Sequence, residues 1–154
     1  MSTVAELPRW DLDPLFPGLE SEKFERGWTE LEGQLRGLKA FFDEHQIGGR
    51  PAQPTDRAAF GVLIERLNAF GETLTPLHAY LIMRVDTDSS DAAAQAKLSE
   101  LEILIVEFRK LSPRLTAWLA GLEAGTVEAG EYAILIEEAK VQAQHQMSEA
   151  EEAL

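Results

Sequence analysis

The chain has 154 residues, 45% of them apolar and 27% charged, with no cysteine. Those proportions describe one globular domain, and at this length about 68–70% of the unfolded chain's surface can be buried, so a core needs neither disulfide nor metal to hold it. The lack of cysteine excludes disulfides, thiol catalysis and cysteine-ligated zinc. A net charge of −13, from 14 basic and 27 acidic residues with the basic ones scattered, sets the average field against nucleic acid and anionic membrane surfaces.

The first 19 residues differ from the rest. Leu7-Pro8-Arg9-Trp10-Asp11-Leu12-Asp13-Pro14-Leu15-Phe16-Pro17-Gly18 carries prolines that fix their own φ and push the preceding residues towards extended conformations. The segment reads as an extended N-terminal arm that lays Trp10, Leu15 and Phe16 on a neighbouring surface. It has no basic n-region and no continuous apolar h-region, and nowhere does the chain hold about 18 consecutive apolar residues, so neither a secretory leader nor a membrane span is expected and the cytoplasm is the expected compartment.

Residues 20–154 read as one helical domain. Ser21 is a plausible N-cap for a first helix, with Glu22 where the dipole favours an acid. Phe24, Trp28, Leu31, Leu35, Leu38 and Phe42 recur at alternating steps of four and three, one stripe of an amphipathic helix, and Gly48-Gly49-Arg50-Pro51 is expected to end it. A second helix is expected after Pro54, capped by Thr55 or Asp56. Its stripe is Phe60, Leu63, Leu67, Phe70, Leu74, Leu77 and Leu81. Pro76 interrupts the stripe chemically but not in spacing, and predicts a kink in preference to a split.

Asp86-Thr87-Asp88-Ser89-Ser90-Asp91 is a turn and N-cap cluster. A third helix from about Asp91 carries Leu98, Leu101, Ile105, Phe108, Leu111, Leu115, Trp118 and Leu122. Ser112-Pro113 either bends it or starts a new helix at Pro113. A fourth helix is expected over Val127 to Gln146, with the narrower stripe Tyr132, Leu135, Ile136, Ala139 and Ala143. No segment alternates as a strand does. The fold class is therefore all-α, an antiparallel bundle of about four long helices with kinks or breaks near Pro76 and Pro113. Ser148-Glu149-Ala150-Glu151 matches a capping box, which raises the expectation that a further helix begins there and that the chain is the front of a longer protein.

The chemistry-bearing residues are sparse. None of His45, His78 and His145 begins a His-Glu-x-x-His pattern, which would put two zinc-binding imidazoles and a water-polarising glutamate on one helix face. Phe42, Thr75 and Gln142 stand three before them, so the Glu-x-x-His pairs of a di-iron bundle are missing too. No phosphate-cradling glycine loop and no Gly-x-Ser-x-Gly occurs. Ser89-Ser90 sits in an acidic turn, where serine caps a helix more often than it attacks a carbonyl. The carboxylate pairs Asp43-Glu44, Glu137-Glu138 and Glu151-Glu152 read as solvated faces, and Trp28 and Trp118 as core. No catalytic, cofactor-binding or metal-binding residue is assigned.

Three segments carry a resemblance. Leu7-Pro8-Arg9-Trp10-Asp11-Leu12, with Leu15-Phe16-Pro17 and an acidic stretch leading to Phe24, resembles the opening of oligoendopeptidase F-type zinc peptidases. So does Ala79-Tyr80-Leu81 followed by Arg84, the Asp86 to Asp91 turn and Ala94-Gln95-Ala96. His145-Gln146-Met147-Ser148-Glu149-Ala150-Glu151-Glu152 resembles the His-x-Leu-Ser-Glu-x-Glu-Glu stretch that closes this region in the family, with Met147 where leucine is usual. The resemblance implies the N-terminal helical region of a long, almost all-helical metallopeptidase that hydrolyses short peptides. This region would wall the cleft and dock on a catalytic half that carries zinc on His-Glu-x-x-His. That motif is missing here, so the chain is expected to bind no zinc and to be inactive alone. The alternative is a stand-alone helical interaction module, since long apolar stripes also suit a homodimer.

Overall fold

A computed structural model describes residues 11–122 and 132–143. The described residues are all-helical: α1 spans Glu22–Glu44, α2 Arg57–Thr87, α3 Ala92–Arg109, α4 Leu111–Leu119 and α5 Ala133–Ala143, with a short 3-10 turn at Pro54–Asp56 before α2. Because α3 and α4 are the two parts of the expected third helix, about four rods form the bundle. Trp10, His145 and the Ser148 capping box lie outside the described residues, as do the two ends of the expected fourth helix.

α1 and α2 run antiparallel along their whole length. Phe24 meets Tyr80 near one end, Gln34 Nε2 donates to Thr73 Oγ1 at 3.0 Å in the middle, and the Arg66 guanidinium lies 4.8 Å from the centre of the Phe41 ring near the other end. Leu77 packs over Gly27, where even a Cβ would find ordinary van der Waals contact at 3.6 Å. α3 returns antiparallel to α2, shown by the Arg84–Asp91 pair at the turn and the Phe70–Phe108 stack with centroids 4.4 Å apart further on. Against α1 it makes the Lys97–Trp28 and Lys39–Glu107 contacts. The expected stripes of α1, α2 and α3–α4 all enter one core, and Phe24, Phe42, Phe70, Tyr80 and Trp118 are its largest fully buried side chains.

The first helix stops before the glycine pair. Ile47 N–H donates to Phe42 O at 2.8 Å and Gln46 N–H to Asp43 O at 3.2 Å, with Gln46 at φ +53°. These are the two bonds of a Schellman ending, in which Gln46 takes the left-handed position that glycine usually fills and Ile47 buries itself beside Phe42. Gly48 is needed for a different reason: its φ is +87°, and a Cβ there would lie 2.6 Å from Arg114 Cβ. α4 seats on this corner. Arg114 Nε donates to Ile47 O at 2.9 Å and its Nη2 to Asp43 at 2.9 Å, while Ala52 N–H donates to Trp118 O at 3.1 Å. Gly121 is equally confined, because a Cβ would come within 2.5 Å of Pro51.

At the start of α2, Asp56 occupies the cap position but its carboxylate turns backwards. It accepts two bonds from Arg50, at 2.7 and 2.8 Å, and one from Gln53 N–H at 2.8 Å. α2 remains a single helix through Pro76, so the proline does not split it. Pro76 is half-buried and outside the core cluster, and the Glu72 carbonyl that loses its partner belongs to a residue with an exposed side chain. The third helix does break, at Lys110, and Pro113 falls in the first turn of α4, where an N–H has no intrahelical partner to lose. Ser21 and Asp91 cap α1 and α3 through Phe24 N–H and Ala94 N–H, as their sequence positions suggest. In the described part of α5, Ile136 and Ala139 are buried, and Tyr132 just before it meets Phe60 edge to face.

Three outcomes test this packing. Gln46→Gly should stabilise the protein by about 1 kcal/mol, because a left-handed residue with a Cβ costs roughly 1–2 kcal/mol; urea titration reads the midpoint shift. Phe16→Ala should cost about 3 kcal/mol in the same titration, the lower end for a buried phenylalanine, since the ring is covered on more than one side. The third is a pH effect. Arg50 holds the Asp56 carboxyl down to about 2, helped by Gln53 N–H and opposed by burial. Lys110 and then Lys39 hold Glu107 down to about 2. Folded values below the unfolded carboxylate value of roughly 4 mean that these pairs stabilise the fold above about pH 4 and lose that contribution as pH falls towards about 2. Thermal melts of Asp56→Asn should therefore fall less steeply across that window than those of the parent.

Candidate functional site

The arm, α1 and the α2–α3 turn build the most structured polar and aromatic region of the molecule. Leu12 O accepts from the N–H groups of Leu15 and Phe16 at 3.0 and 3.1 Å, so the chain turns there and delivers the Phe16 ring inwards. Phe16 meets Phe24 edge-on at 5.5 Å and Tyr80 at 5.2 Å. Lys23 ties the turn down by donating to Pro14 O at 3.3 Å, with its ammonium 5.5 Å from the Phe16 ring centre. On the other side of Tyr80, Arg84 Nη1 donates to the phenol oxygen at 3.0 Å, and its Nη2 and Nε donate to Asp91 at 2.6 and 3.1 Å. The Tyr80 hydroxyl, acting as acceptor, raises the Arg84 pKa. Ala94 N–H and then Arg84 lower that of Asp91, which keeps the α3 cap charged.

Beside this cluster lies a groove of about 480 Å³ between the first turns of α1 and of α3. Its floor is Leu19, Phe24 and Trp28. Trp28 is only 9% exposed, stacks on Phe24 at 5.9 Å, donates from Nε1 to Glu32 at 3.0 Å, and carries the Lys97 ammonium 4.1 Å from its ring centre. Thr29 and Ala93 face the space from the two helices and are too small to fill it, and Glu20 and Glu25 stand on its rim. The volume lies in the range typical of small-ligand and side-chain pockets.

The residues singled out in the sequence do not come together. His45 ends α1 with its ring 4.2 Å from Phe41, and His78 is half-buried in the middle of α2. The Ser90 hydroxyl is bonded to Asp88 at 2.6 Å, so it serves the turn. Asp43 pairs with Arg114 and Glu137 with Lys140. Among the described residues no three histidine, aspartate or glutamate side chains converge to hold a metal ion. No helix among the described residues is long and apolar enough to cross a membrane.

Sequence reasoning missed Lys97, Thr29, Ala93 and the groove they frame. Nothing in the spacing pairs residues of α1 with residues so far along the chain. Asp91 was legible as a cap, and Arg84 only as one of the residues of the resemblance. Comparison of the chain with protein-family models, with curated proteins and with solved structures finds no match.

Proposed function

We propose that the chain forms the N-terminal helical region of an oligoendopeptidase F-like zinc metallopeptidase. In this reading it walls the cleft that admits short peptides and docks on a catalytic half outside these 154 residues, which holds the zinc. One observation carries most of the support. Phe16, Phe24, Tyr80, Arg84 and Asp91 come from two of the three segments on which the resemblance rests, and they meet in a single bonded and stacked cluster. Residues that resemble a family's pattern because they close one tertiary joint make a stronger case than isolated short matches.

The second reading, a stand-alone interaction or dimerisation module, draws on the exposed apolar side chains of α3 and α5. Ile103 is 64% exposed and Val106 51%, one turn apart, and Ile134 and Val141 lie on one side of α5. The same surfaces serve docking on a catalytic half.

Two measurements separate the readings. Under the first, the reading frame that encodes the chain also encodes His-Glu-x-x-His on a helical stretch, and purified 154-residue chain gives no chelator-sensitive cleavage of quenched fluorescent peptides. A frame without that motif, together with a discrete dimer by light scattering, would establish the module instead. Chelator-sensitive cleavage by the pure chain would sink both.

A further inference from the structure

The groove between α1 and α3 offers chemistry that neither reading uses. Its floor is aromatic and aliphatic, from Leu19, Phe24 and Trp28. Its width comes from Ala93, an exposed alanine in the first turn of α3, opposite Thr29. Its rim carries Glu20 and Glu25, both exposed. The ion pairs nearby are Arg26 with Glu22 and Lys97 with Glu100, and neither involves the rim carboxylates. Lys97, which also lines the groove, pairs with Glu100 and holds its ammonium 4.1 Å from the Trp28 ring centre, so that ring face is already taken and the rim carboxylates are what remains for a ligand cation.

An apolar floor beneath two carboxylates with no ion-pair partner among the described residues matches one kind of occupant. It is a peptide segment that places an aliphatic or aromatic side chain between basic residues. The apolar side chain fills the space over Leu19 and Phe24, and the flanking guanidinium or ammonium groups reach Glu20 and Glu25. The chain's net charge of −13 draws the same class of ligand towards it and repels an acidic one. We infer that this groove is a docking site for a basic peptide segment carrying a central apolar side chain. The inference stands apart from the peptidase reading, because it concerns a pocket formed wholly by described residues and involves no hydrolysis.

The test uses the full chain, isotope-labelled and followed by amide NMR. The probe is a blocked pentapeptide, acetyl-Ala-Arg-Leu-Arg-Ala-amide, with a counterpart in which glutamate replaces both arginines. The expected result is saturable shifts of the Thr29, Ala93 and Lys97 amides with the basic peptide alone, weakening as salt is added. Ala93→Leu fills the groove from an exposed helical position that accepts leucine, and should weaken binding about tenfold or more with the melting temperature little changed. Glu20→Gln combined with Glu25→Gln leaves the groove's shape intact and should reduce both affinity and salt dependence, which keeps the test decisive if the leucine variant folds poorly. Shifts that are absent at millimolar peptide, equal for both peptides, or unaltered in the double glutamine variant would overturn the assignment.

Discussion

The long antiparallel seam between α1 and α2 is the constraint from which the other contacts follow. Phe24, Leu31, Leu35, Leu38 and Phe42 on one side face Phe60, Leu63, Phe70, Leu77 and Leu81 on the other, all of them buried. Each such side chain contributes about 1.5–3 kcal/mol by leaving water, before the entropy of ordering the chain is subtracted. With two helices of 23 and 31 residues held side by side, their ends become fixed platforms. One end presents Tyr80 to the arm, and the other presents the Gln46–Ala52 corner to α4.

At both platforms the polar groups act on geometry more than on total stability. Arg84 links Tyr80 to the cap residue of α3, so the direction in which α3 leaves the turn is tied to the aromatic cluster that also receives Phe16. Arg114 holds a main-chain carbonyl of the corner and an α1 carboxylate at once, which fixes α4 to the helix it follows in space, not the one it follows in sequence. Exposed pairs of this kind contribute little individually. Their value here lies in direction: each joins two elements at an angle that apolar contacts alone would leave loose. In a chain with this excess of acid, arginines placed at the joints also offset repulsion where helices crowd together.

The rods were legible because a buried stripe must repeat at the helical period, and the stripes read for the first three helices do enter the core. Ser21 and Asp91 were legible for a similar reason, since a short polar side chain before an apolar run satisfies free N–H groups there. The endings were not. Gly48-Gly49 is the stronger stop signal, yet Gln46 takes the left-handed turn, because burying Ile47 against Phe42 outweighs a modest backbone cost. Pro113 looked like the break, but a proline is comfortable in a first turn, and the break came at Lys110. Asp56 is a fine cap by type, but Arg50 across the loop and Gln53 N–H together turn it backwards. The groove was invisible because it is made by what Thr29 and Ala93 lack.

α3 carries apolar side chains beyond those that the bundle buries. A helix with one buried face needs one apolar stripe, and Leu98, Leu101, Ile105 and Phe108 already supply it. The run Leu101-Glu102-Ile103-Leu104-Ile105-Val106 adds Ile103 and Val106 on a different side, where no other described element covers them. Single exposed apolar residues are ordinary, but two adjacent ones on a helix whose core stripe is complete form a second stripe. Either functional reading supplies a surface for these side chains, and the groove beside Trp28 lies at the other end of α3.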